Sequence, residues 1–162
     1  ASGRGRKLLG RAARSAGSRL RSIRRMAGMT NLFLLDTDIC SDAIKGSHPA
    51  LDRRLRDFEP GQIAISAVTR AELRFGVALR PEAIRLAMLV ESFLKFVTTL
   101  PWDACAADRY GVLRAMSQRA GQPIGDHDTM IAAHALAVNA TLVTHNLAHF
   151  ERVSGLSCAD WV

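Results

Sequence analysis

The stretch FLLDTDIC, residues 33–40, decides how the chain is read. With Leu32 before it, an unbroken apolar run stops at two carboxylates, Asp36 and Asp38, separated only by Thr37. A short continuous apolar run suits a strand buried on both faces. The end of such a strand needs a turn. One acid could serve there as the N-cap of a helix over the following ICSDAIKG, since Asp accepts hydrogen bonds from the free amides of a helix start. A second acid has no such duty.

Outward from this stretch, short apolar runs alternate with helical periodicity. IAIS (63–66) is a second strand, introduced by the turn signal Pro60-Gly61, and TLVT (141–144) is a third. Residues 97–100 and 157–162 are expected to add short ones. Val68, Ala71, Phe75 and Leu79 follow helical spacing. A helix starting near Pro81 is expected to bury the stripe Leu86, Leu89, Val90, Phe93, Phe96 and Val97. Another after Pro101-Trp102 shows Ala106, Tyr110, Leu113 and Ala120. The turn GQPIG (121–125) opens a helix over DHDTMIAAHALAVNA. Strands alternating with helices predict an α/β fold, a parallel sheet between two helical layers. Ligands of such sheets bind at the carboxyl ends of the strands, where Asp36, Ser66 and Thr144 lie.

At 162 residues the chain is expected to form one domain, with a core that is aliphatic because only 6% of residues are aromatic. No stretch is long and apolar enough to span a bilayer, so no membrane partner is expected. The formal net charge of +7 is unevenly placed. Nine of the 22 Lys and Arg, and none of the 15 acids, fall in residues 1–28, so the remainder carries 13 basic residues against 15 acids, a net of −2. The basic leader is therefore separated from a nearly neutral domain over 29–162. An acid-free, Arg- and Ser-rich leader fits a transit peptide or an RNA-binding arm. The preferred reading is an extension upstream of a start at Met29. Cys40, Cys105 and Cys158 are odd in number and never in CxxC spacing, which favours a reducing, cytoplasmic setting over a disulfide framework or zinc knuckle.

Each remaining acid has a structural and a chemical reading. Thr69-Arg70-Ala71-Glu72 matches a capping box, which would occupy Glu72 locally. Yet Glu72 follows a strand end and so falls near the edge that carries Asp36. Asp126, after Gly125, reads as an N-cap, and Asp128 suits the first-turn dipole of a helix apolar nearly all round. The five histidines show no zinc-protease spacing and are read as non-ligands. Ser66 lacks a GxSxG frame, and no GxxxxGK[ST] is present. Carboxylates gathered without a cation repel and raise one another's pKa. A divalent ion relieves that conflict, and oxygen donors suit Mg²⁺ or Mn²⁺, which can activate water at a phosphoryl centre.

FLLDTDIC, ISAVTRAELRFG, PIGDHDTMIAAHAL and TLVTHNLAHFERVSGL with a closing DW, in this order, resemble a PIN-domain ribonuclease of the VapC type, the toxin of a type II toxin–antitoxin pair. The resemblance spans about Asn31 to Val162. It implies a PIN-like three-layer α/β/α fold with an acidic site at the strand C-terminal ends, and a metal-dependent endoribonuclease for which tRNA is one substrate class. It also implies a proteic antitoxin that covers the site, and a homodimer. By motif, Asp36, Glu72 and Asp128 match the family's catalytic and metal-binding acids. Asn146 stands where the family's fourth acid usually follows the LVT strand, and Asp38 where many relatives carry Asn. Asn146, Asp126 and Asp38 are thus auxiliary candidates. Two other readings stay open. One is a haloacid-dehalogenase-type phosphohydrolase, with apolar-run-DxD, Ser66 and Gly125-Asp126 as its motifs. The other is a non-catalytic RNA- or protein-binding module.

Overall fold

The computed structural model describes residues 31–59, 61–121 and 123–162; the leader over 1–28, the start at Met29, Pro60 of the expected turn and Gln122 of GQPIG lie outside them. The order of elements is β1 (Phe33–Leu35), α1 (Thr37–Lys45), α2 (Pro49–Arg56), β2 (Ile63–Ser66), α3 (Ala67–Ala78), α4 (Ile84–Phe96), β3 (Thr98–Leu100), α5 (Ala104–Arg119), α6 (Asp126–Val138), β4 (Thr141–Val143), α7 (Leu147–Phe150) and β5 (Cys158–Ala159). All the strand pairs are parallel, in the order β3-β2-β1-β4-β5. The strand that ends in FLLD is central, which is why Leu34 and Leu35 face no water on either side.

Strand alternation divides the core in two. Leu34 lies in register with Ala64 and Leu142, and all three pack under Ile131, Ala132 and Ala135 of α6. Leu35 lies in register with Ile65 and Val143, and these pack with Ile39, Leu51, Val90 and Leu94 on the opposite face. Ala132, Ala133 and Ala135 of α6 are completely buried, and their small side chains let that helix lie close to the sheet. Gly46 closes α1 in the left-handed conformation, with φ +65°, that glycine adopts without a Cβ penalty.

Two expectations need correction. The helix expected near Pro81 begins at Ile84, and the expected stripe holds in part: Leu86, Val90, Phe93 and Val97 meet the core, but Leu89 and Phe96 do not. Val90, Leu94 and Val97 are buried, whereas Leu89 and Phe96 are exposed with Ile84 and Met88. The helix is apolar on more than one face, so periodicity alone could not say where the buried stripe ends. The capping box at Thr69–Glu72 does not form. Ser66 is the cap of α3, accepting the Val68 amide at 3.1 Å, and Thr69 lies inside the helix.

Candidate active site

Three carboxylates approach one another at the carboxyl edge of the sheet. Asp36 follows β1 and caps α1, its Oδ1 accepting the Thr37 amide at 2.6 Å. Its Oδ2 accepts the hydroxyl of Thr144, just past the neighbouring β4, at 2.7 Å. The residue is only 5% exposed, so two hydrogen bonds fix the orientation of a nearly buried carboxylate. Glu72 comes from α3. With no capping box to hold it back, its Oε2 accepts the Thr37 hydroxyl at 2.5 Å and its Oε1 accepts Nδ1–H of His127 at 2.7 Å. Thr37 thus donates its amide to one acid and its hydroxyl to the other. Asp128 stands in the first turn of α6, where the helix dipole favours a negative charge.

The electrostatics report their proximity. Burial, the largest cause, raises the pKa of Asp36; the Thr144 and Thr37 hydrogen bonds oppose it, and the charges of Asp128 and Asp38 add to it. Asp128 is likewise raised by burial first and then by Glu72, with Asp38 contributing. Two groups resist ionising partly because other carboxylates are near, the condition a divalent cation relieves. The donor set, all carboxylate oxygen, fits a hard cation in kind. Among the described residues no three His, Cys, Asp or Glu side chains are gathered tightly enough to hold an ion as they stand. Glu72 is turned instead to Thr37 and His127.

The auxiliary candidates separate. Asp38 is exposed on the first turn of α1, yet its charge reaches both Asp36 and Asp128. Asp126 is not the cap expected of it: Gly125 holds that position, and Asp126 pairs with Arg114 on the surface at 3.1 Å. Asn146 touches no carboxylate among its hydrogen-bond partners. Its backbone amide donates to the Thr144 hydroxyl at 3.0 Å, and its side-chain amide donates to Nδ1 of His149 at 2.8 Å. Thr144 holds Asp36, and the charge of His149 lowers the pKa of Asp128. Asn146 therefore stands one residue behind the acids on both sides.

Sequence reasoning set Thr144 at the ligand edge without a role and missed Thr37, His127 and His149. The two threonines directly follow an acid and a strand end, which was a usable signal. The histidines carried none, because their relation to the acids is made only by the fold. Ser66 has a histidine partner after all, His134, at 2.8 Å. Both are buried and burial lowers the His134 pKa, so the pair locks β2 to α6 rather than acting as a nucleophile. That lock joins the two helices bearing Glu72 and Asp128.

A family model described as PIN domain matches residues 33–156. The tRNA(fMet)-specific endonuclease VapC of Shigella flexneri is 40% identical over 129 residues, covering 80% of this chain and 97% of that protein. Ribonuclease VapC2 of Rickettsia felis is 35% identical over 134 residues, covering 80% and 98%. A chain of the crystal structure of DNA-bound VapBC from Salmonella typhimurium is similar to this fold with a TM-score of 0.77 and 34% identity, covering 82% of this chain and all of that one.

Proposed function

This chain belongs to the PIN-domain family as an endoribonuclease toxin of the VapC type, and from that premise we propose that Asp36, Glu72 and Asp128 hold one divalent ion, Mg²⁺ or Mn²⁺, where an RNA phosphodiester is hydrolysed. The observation that carries this reading is the approach of three acids, at the end of β1, on α3 and on α6, two of them with pKa values raised by burial and by neighbouring carboxylates. An ion held by these three carboxylates would supply Lewis-acid polarisation of the phosphodiester and a lowered pKa for the attacking water. The chain's own groups do the positioning. Thr37 and Thr144 orient Asp36, and Thr37 and His127 orient Glu72. Burial of Asp36 keeps competing water from its inner oxygen.

The substrate class is RNA, with tRNA the leading candidate because the Shigella relative is named for it. The protein partner is an antitoxin, as in the VapBC assemblies of the similar structures. The exposed apolar residues Leu79, Ile84, Met88 and Phe96 on and beside α4 offer the surface for such contacts, and a homodimer is part of the same reading. Among the described residues no helix is long and apolar enough to cross a membrane. A cytoplasmic site of action follows from the RNA substrate and the unpaired cysteines. The phosphohydrolase alternative loses its strand-end hydroxyl, since Ser66 is buried against His134.

The test is cleavage of total bacterial RNA by the purified chain with Mg²⁺, with Mn²⁺ and with EDTA, beside Asp36→Asn and Asp128→Asn. Cleavage should require the ion and vanish in both variants, while both still melt cooperatively. Undiminished cleavage by Asp36→Asn at saturating Mg²⁺ would move the chemistry elsewhere.

A further inference from the structure

Two grooves meet Glu72, and they differ in chemistry. One, of about 240 Å³, runs between α1, α3 and α4 and is lined by aliphatic side chains such as Ile44, Leu73 and Val77, with no aromatic ring in its wall. The other, of about 710 Å³, opens between α3 and α6 and is walled by Phe75, Trp102, His127 and Met130. Its volume lies in the range of small-molecule sites.

The α3 wall of this second cleft is built from Ala67, Ala71 and Phe75, spaced four residues apart and so aligned along one helix face. The two alanines leave room, and Phe75, 63% exposed, stands at the end as a free ring. Trp102 is held on two sides, with edge contacts to Tyr110 at 6.3 Å and to His134 at 5.7 Å between ring centroids. One ring is thus anchored and another is free. His127 uses Nδ1 on Glu72, and its Nε2 has no partner among the described residues.

We propose that this cleft is a nucleobase subsite, which receives an unpaired base of the nucleotide next to the scissile phosphate and stacks it on Phe75 and Trp102. The inference rests on the proposed chemistry at Asp36, Glu72 and Asp128. A phosphate at those carboxylates brings its own base within one ribose of Glu72, and Glu72 is in the cleft wall. A phosphate would be repelled from an apolar cleft edged by a carboxylate, whereas a base is neutral and has an aromatic face. Single-stranded RNA is read by such stacking on aromatic side chains. The imidazole Nε2 of His127 is free to hydrogen-bond the base edge. The aliphatic groove offers no ring to stack on, so the base is assigned to this side of Glu72.

The test uses an end-labelled single-stranded RNA spanning a cleavage site first mapped with the wild-type chain. A second copy carries an abasic ribonucleotide on one side of the scissile bond, and a third on the other side. Phe75→Ala should lower kcat/KM on the intact RNA by about tenfold or more, the loss expected when one stacked base is released. On the abasic RNA that the wild type already cuts poorly, Phe75→Ala should cause no further loss, and Phe75→Trp should restore cleavage of the intact RNA. Because Phe75 is exposed, the variants should melt like the wild type. Unchanged kinetics, or an equal loss on intact and abasic RNA, would overturn the subsite. An equal loss accompanied by a smaller species in size-exclusion chromatography would overturn it in favour of a second copy covering Phe75. Cleavage that survives Asp36→Asn would instead overturn the placement of the chemistry, and the subsite with it.

Discussion

Asp36 does two things that separate under substitution. As a cap it offers an oxygen to the Thr37 amide, which Asn offers equally well; as a buried charge it is opposed by desolvation and by Asp128 and Asp38. Asp36→Asn should therefore abolish cleavage yet melt at the same temperature or higher. The pH dependence has a definite sign. A carboxyl with its folded pKa raised above 3.8 contributes stability that is complete below that value and is lost as pH rises through the folded pKa. In EDTA the melting advantage of Asp36→Asn should thus be present at neutral pH and vanish below pH 3.8; an advantage independent of pH would mean that charge is not its cause. Asn146 makes the companion case. It holds Thr144 and His149, the residues that act on Asp36 and Asp128. Asn146→Asp adds a charge beside the acids and should lower the Mg²⁺ concentration for half-maximal cleavage, with a smaller effect on the maximal rate, because ligand charge tunes cation affinity. Asn146→Ala should raise it, and a titration that neither variant moves would put Asn146 outside the metal's reach. As candidates, Asp36 and Asp128 stood out in the sequence at a strand end and a helix start, whereas Glu72, inside α3, stood out chiefly through the motif that resembles the family's. His127 and His149 did not stand out, since α6 and α7 reach the site only through packing.

At the scale of elements, the carboxyl end of the chain is tied back to the first helix through one imidazole. His145, after β4, places Nε2 3.0 Å from Asp42 of α1 and Nδ1 3.1 Å from Asp160, just past β5. Carboxylates only accept, so an imidazolium satisfies both contacts. Burial opposes its charging, but the hydrogen bonds to Asp160 and Asp42 outweigh burial and raise its pKa above 6.5. Burial likewise works against Asp42, which hydrogen bonds from His145 and Ser47 nevertheless hold low, and the Val162 amide leads in lowering Asp160. The raised His145 gives stability complete below pH 6.5 and lost as pH rises through its folded value. The lowered acids give stability present above 3.8 and lost as pH falls through theirs. The tie is strongest between those limits. His145→Gln should cost about 1 kcal/mol at pH 5.5, the scale of partly exposed ion pairs, or roughly 2–4 °C in melting temperature, and much less above pH 8. A loss equal at both pH values would make the contact one of shape rather than charge. Nothing in the sequence announced this tie, because its three residues are brought together by strand order. The strands themselves were legible, FLL, IAIS and TLV being continuous apolar runs, whereas the limits of the buried stripe of α4 were hidden by apolar residues on several of its faces.

Over the whole molecule, charge poses a problem that the fold by itself does not solve. The residues after the leader carry a net of −2, and their chemistry gathers acids where an RNA phosphate must lie. A divalent ion offsets the repulsion at the site but offers little attraction at a distance. The nine basic residues of 1–28 are the chain's excess positive charge, and they lie outside the region matched by the PIN domain. They should act on encounter and affinity rather than on fold or cleavage site. Each phosphate neutralised on single-stranded RNA contributes about 0.7 to the slope of log affinity against log salt. A chain beginning at Met29 should consequently bind RNA more weakly at low salt and show a shallower slope, with the two chains converging as salt rises. Its melting should match that of the full chain, because residues 1–28 lie outside the region matched by the PIN domain. The cut positions in a mapped RNA should also be unchanged, since the three carboxylates and their threonines are all retained. Identical salt slopes would deny the leader any role in RNA binding, and loss of cooperative melting would show that residues 1–28 belong to the folded unit.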